Sequence, residues 1–579
     1  MLRPCVINRQ LRLLQRPSSD SPHHTHNRHF SALINRRIPH PHILSILHSH
    51  CRTRLLSLSS PQSSKRRKME VEIPTITLTP EEEKVRSLLV DVAKSIDSTS
   101  PKAEETVLRI TGGWVRDKLL NGKSHDIDIG INNMTGFEFA SHLSSFLTEN
   151  VEKYGIPAKS VHKIESNPEK SKHLETATTK ILDLDIDFVN LRCESYSDES
   201  RIPKMEFGTP IQDALRRDAC VNALFYNLMT QEVEDFTTRG LTDLKNHILR
   251  TPLPPKQTFQ DDPLRVLRLI RFASRLSFTI DPSATAAMQH QSIKTALRQK
   301  ISRERVGVEI EKMLYGDHPY AAIDLIDRLD LSTAILEIPK LSQEQLDNEV
   351  KPAHTRYAID TLKWLLSDFR NVEGYNAVQT LILTKREEYL TWLFAAITPW
   401  IKILITDNKK NRQSAGVVAA RDGLKLSNKD TESLEKMAQA NNLVKYTVPT
   451  YHSLPRSVLG GFVRKMGAEW RLQVFASLLI DLVEIRAEGG ELGGVGDLRH
   501  IMGYEEFLRK LYVENVGEAW DLKCLLTGNE VAKAMGHKPG RWMKKALEEV
   551  MEWQLDNPDG TKEDALANIE EIVIQPQYV

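Results

Sequence analysis

Strand-like alternation of apolar and polar residues stops early in this chain and does not return. It is found only up to about residue 236. From about residue 255 to the end, at 579, apolar positions recur at helical spacing. Such a chain must place its sheet in the first half and build the rest from helices packed on helices. The expected fold class is α+β: a small mixed α/β head followed by a long all-helical neck, body and tail. Strands are expected at 107–111, 126–131 and, as one half-buried run, 181–192, with a short strand pair near 224–236. Helices are expected at 80–98, from 113–120 and at 135–149. Residues 193–210 are polar and carry Ser, Pro and Gly, which predicts a mobile loop. The runs 384–405 and 470–487 read as apolar helices, and 487–497 as a glycine-rich joint.

The chemistry concentrates behind a double glycine. Gly112-Gly113-Trp114-Val115-Arg116-Asp117 precedes Asp126-Ile127-Asp128. A strand sends alternate side chains to one face, about 7 Å apart, so Asp126 and Asp128 point together and suit hard cations such as Mg²⁺. A glycine turn beside them lets backbone N–H groups approach phosphates. An isolated Asp-x-Asp is more often a solvated strand edge; joined to Gly-Gly, Arg116 and Asp117 it is a kit for nucleotidyl transfer. Asp183, Asp185 and Asp187 share one face of the 181–192 run, and periodicity leaves all three open as a further carboxylate. Downstream, Asp261-Asp262-Pro263-Leu264-Arg265 opens a helix, with Asp262 and Pro263 an ordinary cap and first-turn pair. Arg265, Arg268, Arg271 and Arg275 follow as one row, which calls for an anion or acid facing it.

These residues resemble the motifs of class II nucleotidyltransferases, the tRNA CCA-adding enzymes and bacterial poly(A) polymerases. Gly112 to Asp128 resembles the first motif, which implies nucleotide contacts for Gly112, Gly113, Arg116 and Asp117 and metal ligation by Asp126 and Asp128. The acid before Phe188-Val189-Asn190-Leu191-Arg192 takes the third metal position by resemblance, which is Asp187. Arg216-Arg217-Asp218 with Asn222 resembles the second motif: Arg217 and Asp218 face the nucleotide and Asn222 supports them. Ala219-Cys220 departs from that motif's usual aromatic-hydroxyl pair. Asp261-Asp262-x-x-Arg265 resembles the templating motif, with Arg268 also on the nucleotide side. Asp262 offers only acceptors and Arg265 only donors. Cytosine and adenine each present an amino donor beside a ring-nitrogen acceptor, and uracil and guanine the reverse, so this pair can choose C and A. Glu234–Leu244 resembles the connecting motif and Ile301–Lys312 the fifth, a neck helix with a structural ion-pair web.

The loop 195–210 and the tail Met535–Trp542 with Trp553–Pro558 are similar to those of eukaryotic CCA-adding enzymes. The resemblance implies stepwise addition of C, C and A to tRNA 3′ ends from CTP and ATP without a nucleic-acid template, with two Mg²⁺ ions and release of pyrophosphate. The partners implied are tRNA, CTP and ATP. Lys533, Lys538, Arg541, Lys544 and Lys545 are candidates for holding the tRNA backbone. A poly(A) polymerase on the same fold and an inactive tRNA-binding protein are the alternatives.

Charge separates the first 68 residues from the rest. They hold 13 Lys/Arg and one acid, Asp20, whereas the remainder has 65 basic and 76 acidic residues. That start has the composition of a mitochondrial or chloroplast transit peptide and is expected to stay disordered before import. It suggests a plant-type enzyme. Met69, after Lys65-Arg66-Arg67-Lys68, is a candidate second start for a cytoplasmic or nuclear form. Five scattered cysteines form no C-x-x-C pair, which fits a reducing compartment. No run of about 20 apolar residues is present, so no membrane span is expected, and nothing points to an obligate protein partner. The expected division is 1–68 transit peptide, 69–104 N-terminal helical segment, 105–250 head, 251–340 neck, 341–486 body and 487–579 tail.

Overall fold

The computed structural model describes residues 75–573 except 100–103, 123, 125, 157–161, 165–175, 198–199, 343–344, 346–349, 383 and 408–409. All belong to the second of the two units into which the chain divides, Lys68–Val579. The expected targeting segment and the start at Met69 lie outside the described residues.

Helix α1 (Pro80–Thr99) begins with a reciprocal cap. The Glu82 carboxylate accepts the Thr79 N–H at 2.7 Å, and the Thr79 hydroxyl oxygen accepts the Glu82 N–H at 3.2 Å. The buried Glu82 also accepts from Trp114 Nε1 (3.3 Å) and Lys118 Nζ (2.6 Å). These bonds tie α1 to α2 (Gly113–Leu119). Helix α3 (Gly136–Glu149) is capped by Thr135.

The head is built on a seven-stranded sheet. Its strands are β1 (Leu108–Thr111), β2 (Asp126–Ile131), β3 (His162–Ile164), β4 (Thr176–Ile181) and β5 (Leu184–Asn190), with β8 (Phe225–Asn227) and β9 (Val233–Glu234). The order is β3-β4-β5-β2-β1-β8-β9. Only β2 and β5 run parallel; the other neighbours are antiparallel. Ile127, Ile129, Ile186 and Phe188 fill the buried face. A Cβ on Gly136 would lie 2.0 Å from the Phe188 carbonyl oxygen, so only glycine lets α3 begin directly against β5.

Three expectations are corrected. Residues 181–192 are not one strand: Leu182 (φ 49°) and Asp183 (φ 64°) make a left-handed turn between β4 and β5, which period-two alternation does not reveal. Residues 193–210 are not a loop throughout: β6 (Arg192–Ser197) and β7 (Ser200–Phe207) form an antiparallel hairpin. Strands also persist past residue 255. β11 (Thr279–Ile280) pairs in parallel with β10 (Ile248–Leu249), and β12 (Leu404–Thr406) pairs with β13 (Arg412–Ser414). The apolar run 384–405 therefore splits into a helix at Lys385–Ile397 and a strand. Pro399 lies between them, with no N–H to continue a helix.

Beyond the head the chain is helical. A short helix α4 (Pro210–Leu215) leads into the 216–222 turns. Then come α5 (Pro255–Asp261), α6 (Leu264–Leu276) and α7 (Arg303–Leu314). The helix Trp470–Ala487 matches the expected run. The glycine joint after it has Gly489 and Gly493 at positive φ. One apolar core runs from Val85 to Leu555, and Leu526, Val531, Val550 and Ile569 belong to a second core in the tail. No helix among the described residues is long and apolar enough to cross a membrane.

Candidate active site

Strand β1 ends at Thr111, and Gly112 turns the chain at φ 76°, ψ −133°, a region open to glycine but not to L side chains. A Cβ on Gly112 would come within 3.1 Å of Arg217 Nη1, and one on Gly113 within 3.3 Å of Arg116 Nη2. The turn therefore lies bare against two guanidinium groups. On β2 the side chains of Asp126 and Asp128 are exposed, with Ile127 and Ile129 buried behind them. The parallel register sets Asp126 opposite Asp185 and Asp128 opposite Asp187. Residues directly paired across strands point to one face, so four carboxylates share it.

Their surroundings differ. Asp187 accepts a hydrogen bond from Thr178 Oγ1 at 2.7 Å. Asp185 lies 3.9 Å from the Lys180 ammonium. Asp183 sits in the β4–β5 turn, outside both strands. Although Asp128 is exposed as a whole, the protein packed around its carboxyl strips that group of water and pushes it up; Arg217 pulls it down, and the charges of Asp187 and Asp126 push it up again, so the net shift is upward. Among the described residues no three acidic, His or Cys side chains converge closely enough to grip an ion as they stand. Asp126, Asp128 and Asp187 share a face with their side chains at rest apart. As hard oxygen donors that repel one another, they fit a hard divalent cation.

Arg217 stands between the glycine turn and Asp128. Its Nε and Nη2 donate to Asp213 (3.0 and 2.8 Å) and its Nη1 to the Asn222 carbonyl (3.2 Å), over the Phe225 ring. Burial pushes the Asp213 carboxyl up, but Arg217 and Arg216 bring it down to about 2. Asp218, 6% exposed, accepts from Asn222 Nδ2 at 3.0 Å and Arg268 Nε at 2.6 Å. Here too burial acts upward, and Arg268 with Asn222 hold the carboxyl at about 2. The Asn222 side-chain oxygen accepts from Arg116, whose Nε donates to Asp117 at 2.8 Å. Asp117 in turn pairs with Arg275 at 3.2 Å.

Arg116 and Asp117 are thus buried within a charged chain that joins α2 to α6. Arg116 is only 2% exposed and its burial lowers its pKa. The structure does not bring these two side chains to the open face; they reach it through Gly113 and Asn222.

The arginine row on α6 is matched by acids from other elements. Arg265 lies 3.7 Å from Glu194 on β6, Arg268 pairs with Asp218, Arg271 with Glu309 on α7 (2.6 Å), and Arg275 with Asp117. The anion that the row calls for is supplied largely from inside the protein. Asp262 caps α6 as expected, its Oδ1 accepting the Leu264 N–H at 3.1 Å. Its ion-pair partner is Arg305 on α7 at 3.4 Å.

Glu194, Asp213, Thr178 and Arg305 were missed as site residues. Asp213 stands three and four residues before Arg216 and Arg217, a helical charge spacing that could have found it. Glu194 and Arg305 have no local signal.

In the tail, Lys533, Lys538, Arg541, Lys544 and Lys545 are all exposed. Trp542 Nε1 donates to the Lys538 carbonyl at 2.9 Å and closes the basic loop. Lys545 pairs with Glu549 at 3.4 Å.

Two family models match, "Poly A polymerase head domain" over residues 108–250 and "Probable RNA and SrmB- binding site of polymerase A" over 277–344. The chain is 41% identical over 533 residues to the mitochondrial CCA tRNA nucleotidyltransferase of Saccharomyces cerevisiae, covering 87% of this chain and 95% of that protein. It is 40% identical to the nucleotidyltransferase lcsQ of Purpureocillium lilacinum, covering 86% of this chain and 92% of that protein. Its fold is similar to that of the Thermotoga maritima CCA-adding enzyme, solved in complex with tRNA. The TM-score is 0.54 at 19% identity, covering 85% of this chain and 96% of the other.

Proposed function

Because this chain belongs to the class II CCA-adding enzymes of the nucleotidyltransferase superfamily, we propose that it adds C, C and A stepwise to tRNA 3′ ends from CTP and ATP by two-metal nucleotidyl transfer. The observation that carries this reading is the in-register pairing of β2 with β5. It sets Asp126, Asp128 and Asp187 on one face beside a glycine turn and Arg217. Two Mg²⁺ held by those three acids would acidify the attacking 3′-hydroxyl and neutralise the departing pyrophosphate.

The chain's own groups position the reactants. The bare backbone of Gly112 and Gly113 receives the triphosphate, and Arg217, fixed by Asp213, faces it. Arg116, Asp117 and Asn222 stiffen that turn from behind, while Asp218 and Arg268 lock α6 against it. Asp262 and Arg265 then choose the base by complementary hydrogen bonding. A matched pair of this kind discriminates by about 1–3 kcal/mol per base, and a mismatch leaves polar groups unpaired.

Incubating the enzyme with CTP, ATP and tRNA lacking its 3′ end tests the reading. Three added residues and a stop are expected. A long A tail would mark a poly(A) polymerase, and no extension an inactive tRNA-binding protein.

For tRNA, the exposed basic loop and helix start at 533–545 are the tail's contribution. Replacing Lys533, Lys538 and Arg541 by glutamine should flatten the salt dependence of tRNA binding by up to about 0.9 in log–log slope per lost phosphate contact. An unchanged slope would leave these cations as a solvated helix start. The boundaries proposed for this architecture are 69–104, 105–250 (head), 251–340 (neck), 341–486 (body) and 487–579 (tail).

The mitochondrial relative favours a mitochondrial location. Chloroplast import, a cytoplasmic or nuclear form from Met69, and the plant-type reading rest on the basic first 68 residues. A reporter fused to them that stayed cytosolic would remove organelle import.

A further inference from the structure

We propose that Arg305 is a specificity-determining positioning residue: it holds Asp262 in the orientation that lets this enzyme refuse uracil. The inference rests on the reading that Asp262 takes part in choosing the base, and it gives a role to a helix whose charges otherwise form a structural web.

The Asp262 carboxylate has two oxygens, and one is committed. Its Oδ1 accepts the Leu264 N–H at 3.1 Å and so caps α6. Its Oδ2 is the oxygen left for a base amino group, and Arg305 Nη2 stands 3.4 Å from it. Of the arginines on α6, Arg268 is directed to Asp218 and Arg271 to Glu309, whereas Arg265, 3.7 Å from Glu194, is the donor that partners Asp262 in the proposed base choice. The Arg305 and Asp262 side chains are 32% and 24% exposed and open to an incoming ligand.

The mount for Arg305 is rigid. Arg303, two residues earlier, is buried and donates to the carbonyls of Ala334 and Ile335, both at 3.1 Å. Two residues later, a Cβ on Gly307 would lie 2.0 Å from the Leu424 carbonyl oxygen, so that turn of α7 is pressed against the helix Ala415–Leu424. Backbone position is fixed on both sides while the Arg305 side chain stays open. A long, solvent-open ion pair adds little to stability, so its removal should leave folding nearly unchanged and its effect on base choice can be read by itself.

Orientation matters because rejection is a repulsion. Uracil and guanine place a carbonyl oxygen where cytosine and adenine place an amino donor. An oriented carboxylate oxygen meets that carbonyl head-on. The Leu264 N–H pins Oδ1 but leaves Oδ2 room to swing aside about that anchor, and a planar guanidinium lying beside Oδ2 restrains that swing.

The test is UTP against CTP incorporation on tRNA lacking its 3′ end, for wild type, Arg305→Gln and Arg305→Lys, with thermal melting alongside. Arg305→Gln should raise the ratio of UTP to CTP incorporation at least tenfold and raise the KM for CTP more than it lowers kcat. Arg305→Lys, which restores the charge without the planar fork, should fall between the two. If Arg305→Gln does not fold, the intermediate ratio of Arg305→Lys stands as the test. Wild-type selectivity in a folded variant overturns the role given to Arg305. A wild-type enzyme that does not extend tRNA at all overturns instead the functional reading beneath it.

Discussion

Asp126→Ala is expected to abolish nucleotide addition while leaving tRNA bound. Asp126 lies exposed at the start of β2, and among the described residues its side chain makes no hydrogen bond. Truncating it leaves no buried partner uncompensated, so stability should stay within about 0.5 kcal/mol. Its loss removes one of three oxygen donors from the shared face. Losing an outer-shell partner of a metal site costs about 10–100-fold, so removing a ligand itself should exceed that. Single-turnover extension of tRNA lacking its 3′ end measures the loss, and a gel-shift titration measures the binding. Extension within tenfold of wild type would remove the two-metal reading.

Asp218→Ala should have the largest effect on stability. Asp218 is buried, and its removal leaves Arg268 and the Asn222 amide without their acceptor. Breaking a buried pair by deleting one partner costs about 3–5 kcal/mol, and because Arg268 is 39% exposed the lower end is expected. The pH dependence has a definite sign. The folded carboxyl, at about 2, lies below its ordinary 3.8, so its stabilisation is fully present above the unfolded value. It fades as pH falls through about 4 toward 2, and amounts to roughly 2 kcal/mol. Urea unfolding at pH 7 should therefore separate wild type from variant widely, and the gap should narrow between pH 4 and 2. A gap that stays constant over that range would show that Asp218 stabilises through its shape rather than its charge. The Asp218→Asn variant, which keeps the shape and loses the charge, should retain part of the wild-type stability at pH 7.

The contrast between Asp126 and Asp218 also explains what the sequence could reveal. Asp126 and Asp128 were legible because a strand's period of two fixes their common face with no knowledge of the rest of the molecule. Period two alone left Asp183, Asp185 and Asp187 open as the third carboxylate, and only the resemblance picked Asp187; the positive-φ turn at Leu182–Asp183, which takes Asp183 out of the strand, carries no signature in a run of alternating Leu, Asp and Ile. The β6–β7 hairpin escaped notice because its pairing is a backbone matter, with Arg192 opposite Phe207 and Glu194 opposite Met205, while its side chains read as polar loop.

The arginine row on α6 could be seen, but its partners could not. Asp218 and Arg268 are 50 residues apart, and Arg305 reaches Asp262 from 43 residues away. Local periodicity fixes which way a side chain points. What waits there is decided by tertiary packing.

The strapping of α6 has a mechanical corollary. Glu194, Asp218, Asp117 and Glu309, from four different elements, all grip it. Tilting this helix like a lever would have to part several charged contacts in a single stroke. Helices α2, α6 and α7, with the 216–222 turns, should therefore travel as one stiff jaw, and any breathing that admits an RNA terminus must hinge outside it.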